Sequence, residues 1–398
     1  EEKFCSNTYH PLPVVLARGK GVYVWDVHGK KYFDFLSSYS AVNQGHCNRK
    51  ILNAFLKQSK KLTLTSRAFY NNELGNSLQY ITSIFGYDKM LPMNSGAEAV
   101  EAALKICRKW GYEIKKVKKN KAKIIVCDGN FHGRTTTVIS FSSCNESKKN
   151  FGPLTLGFKI IDYNNVNKLE EALKKDKNIV GFLVEPIQGE GGVVVPDDGY
   201  LKNSKKLCEK YNVLFIADEI QTGICRTGKM LACDHEEIKP DIVILGKALS
   251  GGFYPVSGVL ANSDIMGVLK VGQHGSTFGG NPLGSVVAKE SIKFAVDKDL
   301  SKNARIMGDL FRHNLEKLKD KHKLIKKVRG KGLLNAIVLD CEESSKIPWQ
   351  LSIQMRNNGV LAKPTQGNKI RFAPPLIITK KQILKAVQLI DTSFSELK

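Results

Sequence analysis

Lys247 closes the apolar run Ile242-Val243-Ile244-Leu245 and enters Gly246-Lys247-Ala248-Leu249-Ser250-Gly251-Gly252, so one amine leaves a predicted strand for a glycine-lined turn. A lysine held partly out of water there, its pKa drawn down from about 10.4, forms an imine with an aldehyde cofactor and later shuttles a proton. Upstream, Val213-Leu214-Phe215-Ile216-Ala217 reads as a buried strand that delivers Asp218-Glu219 at its C-terminal end, followed by Ile220-Gln221-Thr222-Gly223. In open α/β sheets ligands bind in the crevice beyond the carboxyl ends of the strands. A buried carboxylate that keeps a pyridine nitrogen protonated makes the ring an electron sink. Lys247 and Asp218 are therefore the two groups that pyridoxal phosphate chemistry asks of a protein.

A phosphate needs its own cradle. Pro92-Met93-Asn94-Ser95-Gly96-Ala97-Glu98-Ala99 reads as a turn and a helix start, with Ala97, Val100, Leu104 and Cys107 recurring at helical spacing. Ser95 caps the helix, Gly96 lets backbone N–H groups approach a ligand, and the positive end of the helix dipole favours an anion. Alone this is a capped amphipathic helix; beside a lysine that binds an aldehyde it reads as a phosphate site.

The ordered set Asn94-Ser95-Gly96, Phe131-His132-Gly133-Arg134, Glu185-Pro186-Ile187-Gln188-Gly189-Glu190, Asp218-Glu219-Ile220-Gln221, Lys247 and Ser276-Thr277-Phe278-Gly279-Gly280-Asn281-Pro282 spans nearly the whole chain. It resembles the class III, fold-type I pyridoxal phosphate aminotransferases. The opening stretch, Tyr9-His10-Pro11-Leu12-Pro13 and then Asp34 through His46, is similar to the ornithine-using branch of that family and carries the substrate expectation.

The resemblance implies a role for each residue. Lys247 would bind the cofactor and move the proton, Asp218 would hold the ring nitrogen charged, and Gln221 would hydrogen-bond the phenolic oxygen. Phe131 would stack on the ring, while Ser95, Gly96 and Ala97 would hold the phosphate. Ser276 and Thr277 would reach the phosphate of a neighbouring subunit, implying a homodimer or a higher even oligomer with shared sites. Arg371 would pair with Glu190 while ornithine is bound, then open to take the carboxylate next to the keto group of 2-oxoglutarate. Arg134 would take the distal carboxylate through a planar fork. Tyr9 and Tyr39 would line the pocket and hold the α-amino and α-carboxylate groups of ornithine.

The implied activity is transfer of the δ-amino group of L-ornithine to 2-oxoglutarate by a ping-pong mechanism. Its products are glutamate and glutamate-5-semialdehyde, which cyclises to pyrroline-5-carboxylate. Phe-His-Gly-Arg is common among acetylornithine enzymes, so N-acetylornithine stands as an alternative donor. So does 4-aminobutyrate, although enzymes using it tend to carry an aliphatic residue in the place of Tyr9.

The elements that must position these residues follow from pattern. Strands are expected near 123 to 127, 181 to 185, 213 to 218, 241 to 246 and 256 to 261, separated by helical stretches such as Leu201 to Tyr211. That alternation predicts an α/β fold, a mostly parallel sheet wrapped by helices. After about residue 300 a helix from Ser301 to Lys319, short strands at 332 to 339, 359 to 362 and 369 to 373, and a closing helix from Thr379 to Leu397 predict a smaller α+β lobe. The expected division is an N-terminal segment over 1–39, a large cofactor-binding domain over 40–299 and a small C-terminal domain over 300–398. With 398 residues and 42% hydrophobic content the chain buries a sizeable core.

The formal charge of +23 raises nucleic acid as a partner. The densest lysine runs, Lys115 to Lys123 and Lys317 to Lys331, lie on or beside predicted helices away from the site motifs. They lack the interleaved aromatics of a stacking platform. A basic binding protein on an inactive scaffold is thus the remote alternative; small-molecule substrates are expected, without nucleic acid. The apolar runs are short and broken by charge, so no membrane span is expected. Nine cysteines fall in no Cys-x-x-Cys pair or metal-ligand spacing, which points to reduced thiols, no metal and an intracellular home. Cys127 is expected in the core, whereas Cys225 and Cys233 flank a turn where exposure is open. Glu1-Glu2-Lys3-Phe4-Cys5 has no leader pattern, giving a cytoplasmic expectation, or the mitochondrial matrix if a leader was removed.

Overall fold

The computed structural model describes residues 3–397. Its centre is a seven-stranded sheet in the order Lys89–Met93, Ser257–Ala261, Ile242–Leu245, Leu214–Asp218, Ile179–Val184, Lys123–Cys127, Phe158–Ile161. Neighbours are parallel except around Ser257–Ala261, which runs antiparallel to both of its partners. Ile179–Val184 and Ile242–Leu245 are buried at every position, as central strands covered on both faces must be. The five expected strands are present within a residue or two. Two further strands lie at the edges, and one of them, Lys89–Met93, carries Pro92, which an edge tolerates because no ladder bond is lost there.

The expected parallel sheet wrapped by helices is therefore what forms. Gly96–Glu113 packs a run of alanines and aliphatics, Ala99 to Ile106, against the sheet and starts with a capping box between Ser95 and Glu98. Tyr200–Lys210 and Val166–Lys175 cover the sheet near the Ile179–Val184 strand. Cys127, Cys225 and Cys233 are all buried, and the nine cysteines are free thiols. Among the described residues no helix is long and apolar enough to cross a membrane, and no cluster of metal-binding side chains occurs.

The two ends of the chain meet. Leu16–Lys20, Tyr23–Asp26 and Lys31–Asp34 form an antiparallel meander whose last strand pairs in parallel with Val360–Leu361. Ile325–Lys331, Leu334–Leu339, Lys369–Phe372 and Lys363–Thr365 make a second antiparallel sheet, backed by helices Leu300–Lys321 and Lys380–Ser395. Arg226, fully buried, ties three parts together: Nη1 donates to the carbonyls of Leu333 (2.9 Å) and Pro374 (2.7 Å), and Nη2 to Asn43 Oδ1 (2.5 Å). After Asp34 the chain makes a left-handed turn in which Ser37, Ser38, Tyr39 and Ser40 all have φ between 48° and 72°. None is glycine, so each sits in a region that costs an L-residue roughly 1–2 kcal/mol. Asp34 holds the turn by accepting the N–H groups of Leu36 (2.9 Å) and Ser37 (2.8 Å).

Candidate active site

Lys247 follows the Ile242–Leu245 strand at φ 44°, another left-handed residue where strain is retained by its surroundings. With Asp218, Glu185, Glu190, Gln221 and Phe131 it lines a cavity of about 200 Å³ beyond the strand ends. Burial draws the ammonium pKa down, and the carboxylates of Glu190 and Asp218 push against that without reversing it. The amine is thereby readied as a nucleophile.

Asp218 is the last residue of its strand and 4% exposed. Oδ1 accepts the Ile220 N–H at 3.1 Å, and Oδ2 lies 2.6 Å from Nδ1 of His132. Burial opposes charge on this imidazole, but the hydrogen bond and charge of Asp218, aided by Glu185, outweigh it and raise the His132 pKa. Glu219 turns away. It accepts the Thr222 hydroxyl and the Cys233 N–H (2.8 Å), and burial pushes its carboxyl up to about 7.

At the start of helix Gly96–Glu113 the Ser95 hydroxyl accepts the Glu98 N–H (3.2 Å), while the Glu98 carboxylate accepts the N–H groups of Asn94 (3.0 Å) and Ser95 (2.7 Å). The Gly96 and Ala97 N–H groups then have no hydrogen-bond partner among the described residues, and both residues line the cavity. They leave two donors at the positive helix end, where an anion is favoured. Packing there is close: a Cβ on Gly96 would lie 3.0 Å from Ile220 Cδ1, and one on Gly133 2.9 Å from Ala97 Cβ. A nucleophilic amine, a buried acid and these donors in one cavity fit pyridoxal phosphate, with Phe131 on the cavity wall to cover the ring.

Glu190 accepts Arg371 Nη1 at 2.7 Å and Gln221 Nε2 at 3.1 Å, and Gln221 Oε1 in turn accepts Arg371 Nη1 at 3.2 Å. Burial works against the Glu190 charge, yet Arg371 prevails and holds its pKa down. Gly189 makes room for this triad, because a Cβ there would stand 1.7 Å from Gln221 Oε1. The Arg371 guanidinium, 2% exposed, lies 5.3 Å from the centre of the Tyr39 ring. Tyr9 is 78% exposed.

The remaining expected residues sit further out. Arg134 is exposed, its guanidinium 5.4 Å from the Phe131 ring centre and outside the cavity wall. Ser276 accepts Asn94 Nδ2 (3.0 Å) and the Gly279 N–H (2.9 Å), and Thr277 is exposed; neither lines the cavity of its own chain. The Ser95 hydroxyl is engaged as a helix cap. Sequence reasoning gave His132 and Glu185 no role. Their only signal was their place in the Phe-His-Gly-Arg and Glu-Pro-Ile-Gln motifs.

This fold and this lysine–aspartate site define a pyridoxal phosphate enzyme of fold type I. The Aminotransferase class-III family model matches residues 4–394, and the chain belongs to that family, as a pyridoxal phosphate-dependent transaminase. The chain is 55% identical to the mitochondrial ornithine aminotransferase of Drosophila melanogaster over 98% of its length and 89% of the relative's. The ornithine aminotransferase structure from Toxoplasma gondii superposes with TM-score 0.96 at 48% identity, covering 99% of this chain and 93% of the other. An acetylornithine aminotransferase structure from Elizabethkingia anophelis does so with TM-score 0.92 at 56% identity, covering 99% and 97%.

Proposed function

We propose that this protein transfers the δ-amino group of L-ornithine to 2-oxoglutarate, yielding glutamate and a semialdehyde that cyclises to pyrroline-5-carboxylate. The observation that carries this reading is the Glu190–Arg371 pair, bridged by Gln221 and roofed by Tyr39. A cationic diamino acid and a dicarboxylate must use one cavity in turn, and a bare Arg371 would repel the first. Paired with Glu190 its charge is masked; with the pair opened, its planar fork takes a carboxylate.

Pyridoxal phosphate, when bound, supplies an aldehyde that accepts the amino group and a ring that stores an electron pair. Lys247 Nζ removes and returns the proton at the carbon that gains or loses nitrogen. Asp218, steadied by His132, keeps the ring nitrogen protonated. Gly96 and Ala97 N–H groups hold the phosphate, with the Ser95 hydroxyl beside them, and Gln221 turns to the phenolic oxygen when the Glu190 pair opens. Tyr9 and Tyr39 hold the α-amino and α-carboxylate groups of ornithine, and Arg134 swings in to the distal carboxylate of the oxo acid. Ser276 and Thr277 serve the phosphate of a second copy in a homodimer, a reading supported by their position outside their own cavity.

N-acetylornithine is the second reading, supported by His132 in its motif and by the likeness to the Elizabethkingia anophelis structure. For the compartment, the cytoplasm is the sequence expectation, while the Drosophila melanogaster and Rattus norvegicus relatives are named mitochondrial. Purified, cofactor-loaded protein is given 2-oxoglutarate with L-ornithine, N-acetylornithine or 4-aminobutyrate, and pyrroline-5-carboxylate is trapped with o-aminobenzaldehyde. Colour from ornithine together with the fastest glutamate formation supports the proposal. Fastest glutamate from N-acetylornithine replaces it.

A further inference from the structure

Three acids line the cavity, and the function above employs two. Asp218 answers to the ring nitrogen and Glu190 to Arg371, which leaves Glu185. It stands one residue past the strand Ile179–Val184, is 8% exposed and shares the cavity wall with Lys247. Oε2 accepts the Phe131 N–H at 3.0 Å, and its backbone carbonyl accepts the Tyr163 hydroxyl at 3.1 Å, so main chain and side chain are both fixed. Glu219 offers a contrast, since both of its oxygens are taken by protein donors. Oε1 of Glu185 has no protein donor among the described residues.

The groups that face Glu185 come from several elements. His132 from the Phe131–Arg134 loop and Asp218 and Lys247 from the strand ends share the cavity wall with it, Tyr163 donates to its carbonyl, and Cys127 feels its charge. A buried carboxylate standing in such company is placed to act on two things at once. Its bond to Phe131 sets the loop that presents both the stacking ring and His132, and its charge reaches the nitrogen of Lys247.

We propose that Glu185 is a positioning residue for the transamination: it anchors the Phe131–His132 loop against Asp218 and sets the charge felt at the Lys247 nitrogen. The inference rests on Lys247 carrying the cofactor. A carboxylate near that nitrogen favours its protonated form. Burial pushes the Glu185 carboxyl up to about 7, with His132 pulling it down and Asp218 adding to the rise. Its support for a positive Lys247 nitrogen therefore switches on through neutral pH.

The test uses the cofactor-loaded enzyme and titrates the visible absorbance band that follows the proton on the Lys247 nitrogen. In Glu185→Gln the midpoint falls by roughly one pH unit, because a carboxylate favouring the proton has gone. Glu185→Asp keeps the charge on a shorter arm and falls by less. A Glu185 that served packing alone would weaken cofactor binding, read by fluorescence quenching, without moving the midpoint. An unmoved or raised midpoint in Glu185→Gln overturns the proposal. If that variant does not fold, an unmoved midpoint in Glu185→Asp does so. A native protein that develops no visible band with pyridoxal phosphate counts against the cofactor site itself, a failure of a different kind.

Discussion

His132 and Asp218, 86 residues apart in sequence, meet at 2.6 Å beneath the cavity, and the imidazole is the one side chain hydrogen-bonded to that carboxylate among the described residues. Replacing His132 with Phe leaves a buried carboxylate short of a donor, a loss of about 1.5–3 kcal/mol for a charged hydrogen bond. The expected outcome is a ten- to hundredfold fall in kcat. Both half-reactions should fall together, because the role proposed for Asp218 is at the cofactor and not at one substrate. His132→Gln, which can still donate, should recover part of the loss. Single-turnover rates with each substrate decide the point.

Glu190→Gln unmasks Arg371. Ornithine should then bind about tenfold more weakly or worse, since a charge-assisted pair no longer shields the guanidinium. Oxo acid binding should be spared. Equal losses in the two half-reactions, measured by stopped flow, would defeat the masking role.

Glu219 predicts a pH effect whose sign can be worked out. Its carboxyl titrates at about 7 when folded, against 4.5 as its ordinary value. Below the lower value both states carry the proton and burial costs nothing. As pH rises the unfolded chain ionises first, so stability from this group drains away until the folded pKa is passed. Glu219→Gln removes the penalty and still accepts the Cys233 N–H. Its unfolding free energy in urea should exceed the native one near pH 8, by up to about 3 kcal/mol, and match it near pH 4.

The left-handed turn at Ser37 to Ser40 stores strain that Ser38, exposed at φ 48°, can release. Ser38→Gly should stabilise the fold by about 1 kcal/mol, since glycine enters this region without steric cost. Denaturant unfolding measures the gain. If the strain holds Tyr39 over Arg371, the ornithine KM should rise in the same variant; a stability gain with an unchanged KM would show the strain to be idle.

Lys247, Asp218 and the Gly96 cradle were legible in the sequence because each closes a strand or opens a helix, and those boundaries are written in local pattern. The substrate half was less so. Gln221 was expected in the cavity and lines it, but its bridge between Glu190 and Arg371 is an arrangement of three residues from three separate elements that no local signal encodes. The Ser37 to Ser40 turn was invisible for a related reason. Ser-Ser-Tyr-Ser contains no glycine to announce a positive φ, and the conformation is imposed by Asp34 and the strands around it. Edge strand Lys89–Met93 was missed because Lys-Met-Leu-Pro-Met has no β-branched residue.

The meeting of the chain ends has a consequence for how the enzyme comes into being. Phe35 accepts the Ala373 N–H at 2.7 Å and Asn43 accepts the Leu376 N–H at 2.8 Å, so the segment bearing Tyr39 completes its seat against residues made more than 300 positions later. Contacts of such sequence separation form late. The strands and helix that carry Lys247, Asp218 and Gly96 come from the middle of the chain and can assemble while the ribosome is still at work. The contacts that complete the Tyr39 seat wait for the last strands. A nascent or truncated chain would thus hold a reactive lysine before it held Arg371 or a fully seated Tyr39.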